Sequence, residues 1–210
     1  MVIIFNWSEI SWLFNYKAIG DLIDEYWHKF FQRPEPTFQY PAPATEQTST
    51  QPIEPEVKYY EHTGKPNSLE IPKIKVEAPL VFAQTPEQKT LTGLYKLLDY
   101  GVVHYPESVL PGENGQTILL GHSAGPGWPH IKYDWVFSDL NKLEKGDEVF
   151  VNYNQRRYHY TVVDKLILER GAEIPAPLTD SPNVLVLVSC WPPGRNQWRI
   201  AIVTNLLTNF

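Results

Sequence analysis

Val184-Leu185-Val186-Leu187-Val188-Ser189-Cys190-Trp191-Pro192-Pro193-Gly194 is the stretch on which the fold turns. An unbroken aliphatic run bounded by turn residues is the pattern of a core strand. Pro192 and Pro193 stop it, because proline has no N–H to give to a ladder. Cys190 therefore falls at a strand end, where a substrate can reach its thiol. A purely structural cysteine would more naturally sit among the valines. It is the only cysteine in the chain. That excludes a disulfide scaffold and any zinc site with two or more Cys ligands. What remains is a choice between an inert small hydrophobe and a nucleophile.

Downstream, Arg199-Ile200-Ala201-Ile202-Val203 predicts a second apolar strand that opens on a charge. Strand alternation puts Arg199 on one face with Ala201 and Val203. A guanidinium there is costly unless it pairs or works. Its structural role would be a salt bridge at a barrel rim. Its chemical role would be to hold negative charge developing on a carbonyl oxygen. Upstream, Thr117-Ile118-Leu119-Leu120-Gly121 predicts another strand, and His122 follows it directly. A thiol needs a base or a positive neighbour to become a thiolate. His122 is the best placed of the six histidines for that task, whereas His104 and His130 read as ordinary polar surface residues.

Further strands are expected at 102–105, 148–153 and 157–168, with shorter extended pieces around Pro72. Pro111-Gly112, Asn114-Gly115 and Lys145-Gly146-Asp147 supply the turns between them. About eight short strands with little helix predict a mainly β fold, a closed or nearly closed barrel. One helix interrupts it. Thr85-Pro86-Glu87-Gln88 has the form of a capping box with proline at the first helical position. Leu91, Leu94, Tyr95 and Leu98 then give one apolar face, ending near Gly101.

Outside the barrel, residues 1–33 carry an amphipathic stripe of Tyr16, Ile19, Ile23, Tyr26, Trp27 and Phe30. It fits a helix packed on protein or lying at a membrane surface. Residues 34–67 are a Pro/Thr/Gln-rich spacer, and residues 68–210 the barrel. The whole chain has 19 prolines in 210 residues, which argues against an all-helical bundle. A net charge of −6 argues against a nucleic-acid partner. No apolar stretch is long enough for a membrane span, and the start lacks a secretory-signal pattern. Asp139, Glu144 and Asp147 offer carboxylates to a Ca²⁺ ion, but a solvated loop is the preferred reading, so neither metal nor cofactor is expected.

Several separated blocks resemble one family in one order. Leu187-Val188-Ser189-Cys190, Trp191-Pro192-Pro193-Gly194 and Trp198-Arg199-Ile200 resemble the Thr-Leu-x-Thr-Cys … Arg signature of sortases. Gly101-Val102-Val103-His104-Tyr105-Pro106, Leu110-Pro111-Gly112-Glu113 and Leu120-Gly121-His122 are similar to that family too. So are Ile71-Pro72-Lys73-Ile74 and Ala78-Pro79-Leu80, and the likeness covers residues 68–207. Val186 and Ser189 replace the two threonines of the signature. The nine-residue step from Cys190 to Arg199 is similar to pilin-polymerising members, but no Asp-Pro-aromatic lid motif is present, so the subclass stays open.

The resemblance implies a sortase-like barrel and a cysteine transpeptidase. Cys190 would be the nucleophile, His122 the proton carrier and Arg199 the oxyanion donor, with Ser189 and Trp191 against the substrate. It implies a client protein bearing a C-terminal sorting motif. The acceptor would be an amine, from a peptidoglycan stem or a pilin lysine. The location implied is the extracytoplasmic face of a bacterial membrane, reached through the N-terminal end. Two alternatives stay open: an L,D-transpeptidase-like acyl transferase, and a β-barrel that binds peptides with an idle site.

Overall fold

The computed structural model describes residues 60–207 apart from 171, 173, 176 and 177. Its strands are β1 (Tyr60–His62), β2 (Ser68–Ile71), β3 (Val76–Val81), β4 (Val102–His104), β5 (Gly115–Leu120), β6 (Glu148–Tyr153), β7 (Arg156–Glu169), β8 (Asn183–Trp191) and β9 (Trp198–Leu206). One α-helix, α1 (Leu91–Leu97), crosses from β3 towards β4 and runs into a 3₁₀ turn at Leu98–Tyr100. The hydrogen-bonded order is β1-β7-β6-β2-β3-β4-β5-β8-β9, and β9 pairs back onto β7. Eight strands therefore close into a barrel, with β1 added outside the ring. Closure is possible because β7 is 14 residues long. Its first half pairs with β6 and its second half with β9, with a register shift between Val162 and Asp164. A bulge of this kind bends a strand and tightens its twist.

The aliphatic run of β8 is explained by what lies on each face. Leu185 and Leu187 belong to the barrel interior, with Leu69, Val151, Tyr160, Ile200 and Ile202. Val184 and Val186 point the other way, into a second cluster with Ala201 and Val203, and Ile174 and Leu178 pack on that cluster from the β7–β8 connection. A strand buried on both faces has no polar positions to alternate with. Burying each such side chain stabilises the fold by roughly 1.5–3 kcal/mol.

Three expectations change. The capping box at Thr85 forms, with the Gln88 N–H donating to Thr85 Oγ1 and the Thr85 N–H to Gln88 Oε1. It caps only an isolated turn. The helix begins at Leu91, where Thr90 Oγ1 takes the Gly93 N–H. The reason is a chain crossing: a Cβ on Gly93 would lie 2.1 Å from Glu87 O, so the two turns are folded against each other and not stacked end to end. His104 is not a surface residue. It is buried in β4, stacked on Phe82, with Nε2 near Val109 O and Ser108 Oγ. The spacer, expected to reach residue 67, gives way to strand at Tyr60. Tyr60–His62 pairs antiparallel with β7, and the Tyr60 ring packs on Tyr158 and under the Arg156 guanidinium. The amphipathic stripe of residues 1–33 and the spacer before Tyr60 lie outside the described residues.

Candidate active site

Register brings two of the three expected residues together directly. Cys190 and Arg199 are antiparallel partners on β8 and β9. Paired Cα atoms in such a ladder are about 4.5–5.5 Å apart. Alternation puts both on the outer face, with Val184 and Val186 behind Cys190 and Ala201 and Val203 behind Arg199. Leu168 of β7 is the next residue across from Arg199. Both Cys190 and Arg199 are half-buried, and Arg199 Nη1 donates to Trp198 O at 2.9 Å.

His122 reaches the same place from the other side. β5 runs parallel to β8, with Leu120 beside Val188. Two residues further along both chains bring His122 level with Cys190. Ile118 and Leu120 lie on the outer side, against the cluster of Leu94 and Leu97, and alternation carries His122 onto that side as well. The turn is held to β8 by three bonds. The Gly121 N–H donates to Val188 O at 3.2 Å, Ser189 Oγ to Gly121 O at 2.6 Å, and Ser123 Oγ to Cys190 O at 2.8 Å. Gly121 is required here, since a Cβ would lie 2.4 Å from the Phe137 ring.

Ser189 is accordingly buried, and its hydroxyl is committed to the backbone of the His122 turn. It holds the His122 turn from inside the barrel through that backbone bond. Trp191 is half-buried and packs against the barrel core beside its partner Trp198.

The imidazole sits in an apolar setting. Tyr95 meets its ring edge-on at 5.3 Å, and Nε2 is buried without a hydrogen-bond partner. Burial pulls the His122 pKa down from 6.5 to about 4, against a smaller upward pull from Asp99. In neutral water the ring is uncharged and free to accept a proton. The thiol hydrogen-bonds elsewhere: Cys190 Sγ lies 3.7 Å from Asn196 Oδ1. Asn196 belongs to the β8–β9 turn, which is docked on the His122 loop. The Gly194 N–H donates to Ser123 O at 2.8 Å, and a Cβ on Gly194 would lie 2.7 Å from Gly125 Cα.

Sequence reading missed Asn196, and also a pair of carboxylates beside the imidazole. Asp99, His122 and Asp134 bring one nitrogen and two carboxylate oxygens within 4.8 Å of one another, and Lys132 pairs with Asp99. The acidic loop considered for Ca²⁺ is likewise met by lysines: Lys73 bridges Glu144 and Asp147, and Lys142 pairs with Asp139.

A family model described as the sortase domain matches residues 69–207. Sortase D of Bacillus subtilis (strain 168) is 30% identical over 145 residues, and the match covers 69% of this chain and 64% of that protein. The chain thus matches a little under two thirds of the length of that relative. Sortase C1 of Streptococcus agalactiae is similar in structure, with 27% identity, a TM-score of 0.51, and coverage of 69% of this chain and 68% of that one. Sortase C1 of Streptococcus suis shares the fold at 24% identity and a TM-score of 0.54, covering 71% and 75%. A barrel with a cysteine, a histidine and an arginine on one rim, matched by the family model along nearly all of its described length, belongs to the sortase family.

Proposed function

We propose that this sortase is a cysteine transpeptidase that cuts a sorting motif near the C-terminus of exported client proteins and passes the acyl group to an amine. The observation that carries the reading is the register: Arg199 directly opposite Cys190, and His122 level with Cys190 on the other side. A peptide carbonyl above Cys190 would meet a sulfur, a guanidinium and an imidazole at once.

In the first half-reaction Cys190 Sγ attacks the carbonyl carbon, and the thiol proton passes to His122. The carbonyl oxygen takes up negative charge facing Arg199, whose guanidinium turns from Trp198 O to meet it. Collapse breaks the C–N bond, and the His122 imidazolium returns its proton to the leaving amine. The product is a thioester on Cys190. In the second half an amine, from a peptidoglycan stem or a pilin lysine, attacks that thioester. His122 takes the amine's proton and gives it to the departing sulfur. Every proton is returned, and no oxidant or metal enters the balance. Clients of this kind place the enzyme at the outer face of the cell envelope, with the residues before the barrel as its tether. Among the described residues no helix is long and apolar enough to cross a membrane.

The test is intact-protein mass spectrometry after mixing with a panel of sorting-motif peptides. The parent protein should gain the mass of the acyl fragment, and Cys190→Ala should gain none. Peptide cleavage by Cys190→Ala at the parent rate would overturn the reading. It would leave a peptide-binding barrel with an idle site.

A further inference from the structure

Tyr95 and Asp99 are four residues apart, on the last turn of α1 and the 3₁₀ turn that continues it. Side chains at that spacing stand one above the other on a helix face. Tyr95 packs its ring on His122, and Asp99 brings a carboxylate oxygen within 4.8 Å of an imidazole nitrogen. The loop after His122 completes the group. Asp134 O accepts the Ala124 N–H at 2.7 Å, and His122 O accepts the Phe137 N–H at 2.8 Å, so Asp134 is fixed to the histidine's own turn. Lys132, in that same loop, pairs with Asp99 and lies 5.9 Å from the centre of the Tyr100 ring.

The transpeptidase reading leaves a physical difficulty that this group resolves. His122 must hold a proton midway through each half-reaction. An imidazolium in an apolar setting is costly unless a negative charge stands near it. Arg199, on the far side of Cys190, makes that worse. We propose that Asp99 is the positioning residue of His122, a carboxylate that orients the imidazole and stabilises its protonated form, with Lys132 setting how much of the negative charge the ring feels. The proposal rests on the transpeptidase reading and supplies what that reading lacks. Asp134 is the second carboxylate of the group. Burial raises its pKa, with the charge of Asp99 adding to the rise and Lys132 opposing it. The charged or titratable groups around the ring are then Tyr95 and Asp99 from the helical side, Lys132 and Asp134 from the loop, and Cys190 and Arg199 from the strands.

The experiment reads the His122 proton directly, by NMR titration of the imidazole in the full chain, with His122→Gln to assign the resonance. Asp99→Asn should lower the His122 midpoint by about one unit, and Asp99→Glu should restore most of it. Lys132→Met should move the midpoint up, because it unmasks the same carboxylate. Asp134→Asn should shift it less than Asp99→Asn does. Thioester formation by Asp99→Asn should slow about tenfold, the rate equivalent of one pKa unit. Its acidic limb should move with the NMR midpoint.

An unchanged midpoint in Asp99→Asn overturns the proposal, as does a larger shift in Asp134→Asn. Should Asp99→Asn fail to fold, Lys132→Met carries the test with the opposite sign, and a midpoint that stays or falls overturns it. A parent protein that forms no thioester sinks the transpeptidase reading alone, because the titration needs no substrate.

Discussion

Two polar clusters lie on different strands of the barrel, and they spend their hydrogen bonds differently. On β2, β6 and β7, Glu70 accepts from Arg157 Nη1 at 2.9 Å, from Lys65 Nζ at 2.7 Å and from Asn152 Nδ2 at 2.7 Å. Asn152 is fully buried and also bonds Ser68 Oγ, while Arg157 lies over the Phe150 ring. Burial alone would raise the Glu70 pKa, but the bonds from Arg157, Lys65 and Asn152 outweigh it and hold the carboxyl at about 2. On β5, β8 and β9 the imidazole nitrogen has no partner, and the thiol has one long contact. Buried polar groups in folded proteins are normally satisfied, so each exception asks for a reason. The first cluster is complete and joins three strands. On the transpeptidase reading, the second is left for the substrate to complete.

The most forceful way to break this comparison is to delete a guanidinium from each side. Arg199→Ala should slow thioester formation by about 10²–10³, the usual loss for one oxyanion donor, with little change in the urea midpoint. Arg157→Ala should do the reverse. It takes the guanidinium from a half-buried carboxylate that keeps only Lys65 and Asn152, and should cost about 1.5–3 kcal/mol of stability, while the thioester rate stays within about twofold of the parent. A rate loss in Arg157→Ala, or an unfolding shift of that size in Arg199→Ala, would erase the distinction between the two clusters.

Acid separates the clusters more gently. His122 binds its proton at about 4 when folded and near 6.5 when unfolded. Between those values the unfolded chain holds more protons, so stability falls as the pH drops from about 6.5 to about 4. Glu70 binds at about 2 when folded and near 4.5 when unfolded. Its stabilisation is present above 4.5 and is lost as the pH falls towards 2. Each step is bounded by about 3 kcal/mol. Urea midpoints measured from pH 7 to pH 3 should therefore fall in two stages. His122→Gln should flatten the upper stage and Glu70→Gln the lower. A single stage that neither variant alters would show that other groups govern the acid response.

How much of this was legible in the chain depends on the range of the interaction. Cys190 and Arg199 could be placed because strand alternation and a two-proline stop are local facts, and the turn between them is short. His122 followed from the same logic on β5. Even the departures of Val186 and Ser189 have local meanings: one is core, and the other ties the His122 turn to β8. Asp99 was not legible, because its meaning comes from α1 lying across the end of β5, and no spacing in the sequence encodes that crossing. The Thr85 capping box misled for a related reason. It is genuine chemistry, and Gly93 then folds the chain back on it. His104 was misjudged because its partners, Phe82, Ser108 and Val109, include a ring from a different strand segment.

The smallest expected effect lies at Asn196, and there the sign matters more than the size. The carbonyl of its amide takes the Cys190 thiol as a donor at 3.7 Å. A sulfur donor is weak, and this contact holds the thiol against the β8–β9 turn. Asn196→Ala removes it and should speed alkylation of Cys190 by iodoacetamide about twofold at pH 7, the rate equivalent of a weak hydrogen bond. Asn196→Asp should act the other way. A carboxylate beside the sulfur repels the negative charge that the sulfur carries as it attacks, and alkylation should slow about tenfold. Because the chain has one cysteine, the label reports this sulfur alone. Faster alkylation in Asn196→Asp than in the parent would mean that Asn196 does not face the sulfur, and the long contact would then be incidental. The predicted order, alanine fastest and aspartate slowest, requires a thiol that rests on an amide of the β8–β9 turn.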